Sequence, residues 1–347
     1  MSDERLRMTG DAQPPRLAKR DLARLITGIE NDDPHALRAL REWYGRTGSA
    51  HIVGVTGAPG SGKSTLVAAL TRLARSRGQT VAIVSVDPSS PFTGGAILGD
   101  RIRMRELFED DGVFIRSIAN RGALGGIARS TADIVAALDA AGYDLVFIET
   151  VGAGQAEVEV ARVAETVIVV EAPGLGDDVQ AIKAGILEIA DILVVNKADR
   201  EGAERAVSAL QAALDLAAPS AGAAGHHGYG ALHRVEAPTA DPSGWRIPIL
   251  KTIATEGDGV AAVLDAIARH RQYLEQGAGA RRRAQRLEQE VTLRLRDLLL
   301  KRAMQQIEPT RYHALIEACI ARKLHPQEAA QELLNELARD GGHAPAG

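Results

Sequence analysis

The chain has 347 residues, enough for about two domains or for one large domain with a substantial appendage, and its 45% hydrophobic and 25% charged residues exclude a wholly disordered polypeptide. With 41 Lys plus Arg against 45 Asp plus Glu the formal net charge is -4, and aromatics make up 3%, so neither a general attraction to polyanions nor a base-stacking surface is expected. A single cysteine, Cys319, excludes an intramolecular disulfide framework and a CxxC metal cage, and suits a reducing compartment.

Residues 1–17 are charged and Pro-containing with no apolar stretch of the kind a secretory signal needs. The longest apolar runs, Tyr143–Ile148 and Thr166–Ala172, fall far short of the roughly 18 residues that would span a bilayer, so a cytoplasmic protein without a membrane segment is expected. Leu17, Leu22, Leu25, Ile26 and Ile29 recur at helical spacing, and Asp33-Pro34 reads as an N-cap with proline opening a second short helix. From His51 the pattern changes to short apolar runs separated by helical stretches. The runs are Ile52–Thr56, Val81–Val86, Val113–Ile118, Leu145–Thr150, Thr166–Glu171, Ile192–Asn196 and Ile249–Thr252. Runs so uniformly apolar suit strands buried on both faces, and helices alternating with them predict an α/β core with a mostly parallel central sheet.

Residues 217–243 are rich in Ala, Gly, Pro and His without a period, and read as a surface loop or a partly disordered insertion. After Gly277-Ala278-Gly279 the composition changes again. Leu287, Val291, Leu295, Leu298 and Ala303 lie about one helical turn apart, Pro309 ends that helix, and shorter helices are expected at Thr310–Arg322 and Pro326–Arg339. An amphipathic stripe on an appendage has to cover its own core or a second subunit, and dimerisation is the reading preferred here. The domain expectation is therefore an N-terminal helical extension at 1–48, a P-loop domain at 49–276 and a C-terminal helical arm at 277–347.

The strongest chemical signal is Gly57-Ala58-Pro59-Gly60-Ser61-Gly62-Lys63-Ser64-Thr65, which matches GxxxxGK[ST] directly after a predicted strand. Phosphates need inward-pointing backbone N–H groups, which glycines leave open, and a helix N-terminus whose dipole favours negative charge. In this pattern Lys63 reaches the β- and γ-phosphates and the Ser64 hydroxyl ligates Mg²⁺. A second signal, Asn196-Lys197-Ala198-Asp199, matches NKxD at the end of another strand. Asp199 can accept two hydrogen bonds from the N1–H and exocyclic amine of guanine. Adenine offers neither and would strand the carboxylate, so GTP or GDP is the expected nucleotide.

Carboxylates at strand ends come third. Asp87 and Glu149 follow apolar runs and are expected to face Mg²⁺ and the γ-phosphate, because ligands of open α/β sheets bind at the carboxyl ends of strands. Asp100, in a glycine-bearing loop, reads equally as a solvated loop acid or a helix cap. Glu149-Thr150-Val151-Gly152 stands where many GTPases have DxxG, with an acid one methylene longer. Gln155 stands three residues after Gly152 rather than directly after it, so it receives no catalytic role and slow hydrolysis by the isolated protein is expected.

Together with Val86-Asp87-Pro88-Ser89-Ser90, Gly99-Asp100-Arg101-Ile102-Arg103-Met104 and Glu149 to Gln155, these motifs resemble the MeaB/ArgK family over about residues 20–275. Its members are GTPase chaperones of methylmalonyl-CoA mutase and related cobalamin-dependent acyl-CoA mutases. The resemblance implies a parallel-sheet P-loop GTPase of the signal-recognition/MinD/BioD class, acting as a homodimer. It would couple GTP hydrolysis to loading of adenosylcobalamin into the mutase and to protection of that enzyme. It makes Asp87, Asp100 and Glu149 the Mg²⁺ and switch carboxylates, with Lys63 and Gly152 in the catalytic set. It also makes Gly174 to Lys183 an additional switch segment, with Gln180 and Lys183 as its candidates. The chain departs from the family where Ala254-Thr255-Glu256 replaces a serine-containing loop that commonly contacts guanine.

Three other functions stay open on the sequence. One is a metal-insertion GTPase using His226, His227 and His233; another is a kinase, although no HRD-like catalytic loop is present; the third is a GTP-binding scaffold without turnover.

Overall fold

The computed structural model describes residues 18–87, 105–119, 126–150, 160–174, 187–217 and 244–340. The chain divides into two compact units, Met1–Arg283 and Ala284–Gly347.

The first unit opens with helices α1 (Lys19–Glu30) and α2 (Pro34–Trp43). Leu22, Ile26 and Ile29 are buried along α1, and Ala36, Leu40 and Trp43 along α2, in both cases at the i, i+4, i+7 spacing of one helical face. Asp33 accepts the His35 N–H at 2.8 Å and Pro34 occupies the first turn, where its missing N–H costs no intrahelical bond.

Among the described residues one sheet forms from β1 (His51–Thr56), β2 (Val81–Asp87), β3 (Val113–Ala119), β4 (Leu145–Thr150), β5 (Thr166–Glu171), β6 (Ile192–Asn196) and β7 (Ile249–Thr252). The seven strands lie in the order β3-β2-β4-β1-β5-β6-β7 and every pairing is parallel. Parallel neighbours require crossovers, and helices α3 (Lys63–Ser76), α4 (Gly126–Ala140), α5 (Ala203–Ala217) and α6 (Val260–Tyr273) cover the faces.

The period-2 alternation of the strands assigns each side chain to a face. Val53 and Val55, Val81 and Ile83, Leu145 and Phe147, Ile168 and Val170, and Ile192 and Val194 form one cluster with α3 and α6. The intervening residues Ile52, Ala82, Val84, Val146 and Ile148 pack against α1, α2 and α4. Val167, Val169, Leu193 and Val195 pack against α5. Full burial of such a side chain is worth roughly 1.5–3 kcal/mol, so a one-residue slip of any strand would expose several of them or misplace them. Register is therefore tightly specified, and with it the face onto which each polar residue near a strand's carboxyl end projects.

The N-terminal helices are tied to the same unit. The Asp139 carboxylate accepts the backbone N–H groups of Gly48, Ser49 and Ala50, while Arg116 pairs with Glu30 and Arg129 with Asp32. Winding from β1 outward through β2 and β3, then back through β4 and across to β5, reverses direction beside β1. The carboxyl ends of β1, β4 and β5 consequently form the crevice in which sheets of this kind bind ligands.

Helix α7 (Gly279–Gln306) continues from α6 through a single π-turn at Leu274–Ala278, where Gly277 takes φ +129°. In the second unit α8 (Pro309–Ile320) and α9 (Pro326–Asp340) form a hairpin in which Arg311 bridges Glu332 at 2.7 Å and Glu336 at 2.8 Å. Pro309 stops the preceding helix by opening the next one. The stripe of Leu287, Val291, Leu295 and Leu298 is exposed. Among the described residues no helix is long and apolar enough to cross a membrane.

Candidate functional site

At the carboxyl end of β1 the chain turns through Gly57 to Gly62 into α3. Gly57, Gly60 and Gly62 have φ of +133°, +80° and +93°, a region L side chains rarely adopt. Two of them are also closed to any side chain: a Cβ on Gly57 would collide with the Val170 carbonyl, and one on Gly62 with the Asn196 amide. Gly62 is the N-cap of α3 and offers no side-chain cap, so the positive end of the helix opens onto the loop. Lys63, only 6% exposed, lays its ammonium along the loop and donates to the Gly57 carbonyl at 2.9 Å and to the Ala58 carbonyl at 3.0 Å.

Strand parity explains the next contact. Glu149 shares the side of Leu145 and Phe147, the face covered by α3, and so lies where the first turn of that helix can reach it. The Ser64 hydroxyl donates to its carboxylate. Glu149 is 1% exposed, which places a carboxylate and a hydroxyl side by side at the mouth of the loop. Both are hard oxygen donors of the kind Mg²⁺ selects.

Asn196, at the end of β6, has the parity of Ile192 and Val194 and points to the same side. Its amide donates to the Ser61 carbonyl at 2.9 Å, and its carbonyl accepts the Thr252 hydroxyl at 3.0 Å and the Ala254 N–H at 3.2 Å. One side chain thus fastens the phosphate loop, β6 and the end of β7 together. Lys197, in the left-handed region at φ +58°, reaches back to the Gly60 carbonyl at 2.7 Å. The Ala198 N–H binds the Thr252 carbonyl at 3.1 Å, closing the turn that leaves Asp199 exposed. In the following turn the Glu256 N–H returns to the Ile253 carbonyl at 2.9 Å; Ala254 is buried while Thr255 and Glu256 face solvent.

The structure therefore gathers Gly57 to Thr65, Glu149, Asn196, Lys197, Asp199 and Ala254 to Glu256 around the carboxyl ends of β1, β4, β6 and β7. Asp87 closes β2 in register with Ala119, and its side chain lies outside the description. Asp100, Gly152, Gln155, Gln180 and Lys183 lie outside the described residues, as do His226, His227 and His233 and all of the 217–243 segment after Ala217.

Residues 22–308 match the family described as Methylmalonyl Co-A mutase-associated GTPase MeaB. The chain belongs to the MeaB family. As a MeaB-family protein it is a P-loop GTPase and binds guanine nucleotide. A Pyrococcus abyssi protein carrying the name GTPase is 43% identical over 324 residues, which cover 93% of this chain and 94% of that protein. GTPase ArgK of Escherichia coli is 43% identical over 185 residues, covering 51% of this chain and 55% of ArgK. Among solved structures, a crystal structure of LAO/AO transport system kinase shares the architecture with a TM-score of 0.64 at 25% identity, covering 92% of this chain and 93% of that one.

Thr252 is the residue of this cluster that the motif reading passes over. Its signal is faint but physical: a hydroxyl at the last position of an apolar run, one strand over from the NKxD motif. Only the register that pairs Asn196 with Thr252 makes it the partner of Asn196.

Proposed function

We propose that this GTPase is a chaperone of a cobalamin-dependent acyl-CoA mutase, a cytoplasmic homodimer that assists adenosylcobalamin loading and protects the mutase from inactivation. Membership of a family described as methylmalonyl Co-A mutase-associated is the single observation that carries this reading. The domain division at 1–48, 49–276 and 277–347 belongs to the same proposal, with the arm as the dimerising element. The exposed stripe of Leu287, Val291, Leu295 and Leu298 supplies an apolar face for a second copy.

At the nucleotide site the chemistry is phosphoryl transfer to water, in which a protein contributes position and charge rather than a covalent intermediate. The backbone of Gly57 to Gly62 cradles the phosphates at the positive end of α3. Lys63 leaves the loop carbonyls for the β- and γ-oxygens, exchanging neutral acceptors for charged ones. Asp199 accepts from guanine, while Asn196 keeps the base-reading turn and the phosphate loop in one rigid piece. Ala254, Thr255 and Glu256 complete the wall on the base side through their backbone.

Ser64 and Glu149, adjacent in the structure, would hold Mg²⁺ with Asp87 and Asp100, and an ion held there would supply neutralisation of the negative charge on the nucleotide's phosphates. Gly152, Gln180 and Lys183 are assigned to switch segments that report nucleotide state and the presence of the mutase.

The test is phosphate release from GTP by the purified protein, alone and with methylmalonyl-CoA mutase, with Lys63→Ala as the control. Slow turnover that the mutase accelerates, and that Lys63→Ala abolishes, is the expected result. Turnover unchanged by isobutyryl-, ethylmalonyl- and methylmalonyl-type mutases would overturn the chaperone reading in favour of a metal-insertion GTPase or a scaffold.

A further inference from the structure

Successive residues of a strand project to opposite faces of the sheet, so the residue after Glu149 looks away from α3. Thr150 has the parity of Val146 and Ile148, and Thr56 that of Ile52, which places both on the face where α1, α2 and α4 pack. The ladder between β1 and β4 ends with Val55 opposite Glu149, and the next residue of each strand follows abreast. There the Thr150 hydroxyl donates to the Thr56 hydroxyl at 3.3 Å, and both residues are 0% exposed.

The surroundings of this pair are apolar. Thr150 stands in register with Val86 of β2, which belongs with Ile118, Ile134 and Ile148 to the cluster on this face. Val160 packs on β1 two residues before Thr56, so closely that a Cβ on Gly54 would stand 2.6 Å from Val160 Cγ1. A separation of 3.3 Å is long for two hydroxyls, but water does not compete for either at this depth. Valine would fill the same space with no polar atom to bury, so the two hydroxyls matter for the bond they make with each other.

That bond closes a ring. From Thr56 the chain runs through the phosphate loop to Ser64, and the Ser64 hydroxyl donates to Glu149. Glu149 is joined to Thr150, and Thr150 returns to Thr56. The two hydrogen bonds lie on opposite faces of the sheet and secure the end of β4 to the two ends of the phosphate loop. Because the ladder stops at Val55 and Glu149, the threonine pair extends the attachment of β4 to β1 by one residue, past the acid.

We propose that Thr56 and Thr150 are positioning residues for the GTPase reaction: their hydroxyl pair keeps the Glu149 carboxylate at the Ser64 hydroxyl, and so presets two oxygen donors for Mg²⁺. Both threonines act from the far face of the sheet, through Glu149. The inference rests on the reading of Ser64 and Glu149 as Mg²⁺ ligands, which Glu149→Gln tests separately.

Calorimetric titration of the full chain with a non-hydrolysable GTP analogue, in magnesium and in EDTA, measures how far the metal tightens binding. Glu149→Gln should remove most of that enhancement. Thr150→Val should reduce it about fivefold, the effect of one net hydrogen bond. Thr56→Val should do the same, and the double variant should lose no more than either alone, because the two residues share one bond. Thr150→Ser keeps the hydroxyl and should keep the enhancement. The magnesium needed for half-maximal GTP hydrolysis should rise by the same factor in the two valine variants. Threonines with a purely structural role would lower the urea midpoint and leave the metal's enhancement as it was. That result, beside a Glu149→Gln variant that loses the enhancement, would overturn the positioning role. Additive losses in the double variant would refute the shared bond. An undiminished enhancement in Glu149→Gln would refute the metal assignment, and this proposal with it.

Discussion

Replacing Asn196 by alanine probes the claim that one amide holds three segments of the nucleotide site together. The substitution deletes the donor to the Ser61 carbonyl at 2.9 Å and the acceptor for the Thr252 hydroxyl at 3.0 Å and the Ala254 N–H at 3.2 Å, all in buried surroundings. At about 1 kcal/mol net for each hydrogen bond the loss comes to about 3 kcal/mol. Thr252→Val removes one of the three and should cost about 1 kcal/mol. Urea unfolding of the two variants beside the unsubstituted chain measures the difference through the shift in midpoint at constant slope. Calorimetric titration with GDP and magnesium should show a weakened nucleotide complex for Asn196→Ala, since the phosphate loop and the guanine-reading turn no longer share a strut. A loss under about 1 kcal/mol together with unchanged GDP affinity would refute the strut, and would make the contacts of Asn196 incidental to both stability and binding.

Asp199→Asn should exchange a preference for guanine for one for xanthine, because an amide can donate where the carboxylate only accepted; unchanged GTP affinity would count against the NKxD reading. Gly57→Ala should abolish nucleotide binding, since the methyl group meets the Val170 carbonyl at a φ of +133°; near-normal binding would show that the loop tolerates another path. Acid should destabilise the chain through His270, whose pKa burial lowers from 6.5 to about 4. The unfolded chain binds the proton more readily than the folded one in that window, so the stabilisation is complete above pH 6.5 and is lost as pH falls toward 4. The loss amounts to about 3 kcal/mol at the acid end. Urea titrations at pH 7 and pH 4.5, compared with His270→Gln, isolate this contribution, and an identical acid loss in the variant would disprove its origin in His270.

Strands, helices and nucleotide motifs were readable along the chain for a local reason. The five inner runs, at β1, β2, β4, β5 and β6, are buried on both faces, so composition marks them, while the edge strands β3 and β7 are partly exposed; the strands depart from the expected bounds by a residue or so, as at Asp87 and Ala119. The phosphate loop is legible because close backbone approach demands glycine at 57 and 62, and the NKxD turn because the reading of guanine proposed above needs a carboxylate at 199. The C-terminal helices are similarly local, with Pro309 and Pro326 marking where the last two begin.

What the chain order could not reveal is which distant polar groups meet. Glu149 reaches Ser64, and Asn196 reaches Ser61 and Thr252, because sheet register and strand parity put them on the face that α3 covers. No spacing along the sequence encodes either. His51, Thr166, His270 and Asp191 carry no motif at all and are brought together only where β1, β5 and α6 converge. Motifs record contacts between a short stretch of chain and a ligand, so sequence alone determined the fold class and the nucleotide chemistry. Partnerships between residues separated by 56 to 135 positions, such as those of Asn196 with Thr252 and Ser61, exist only after the sheet has closed, and tertiary structure alone decided them.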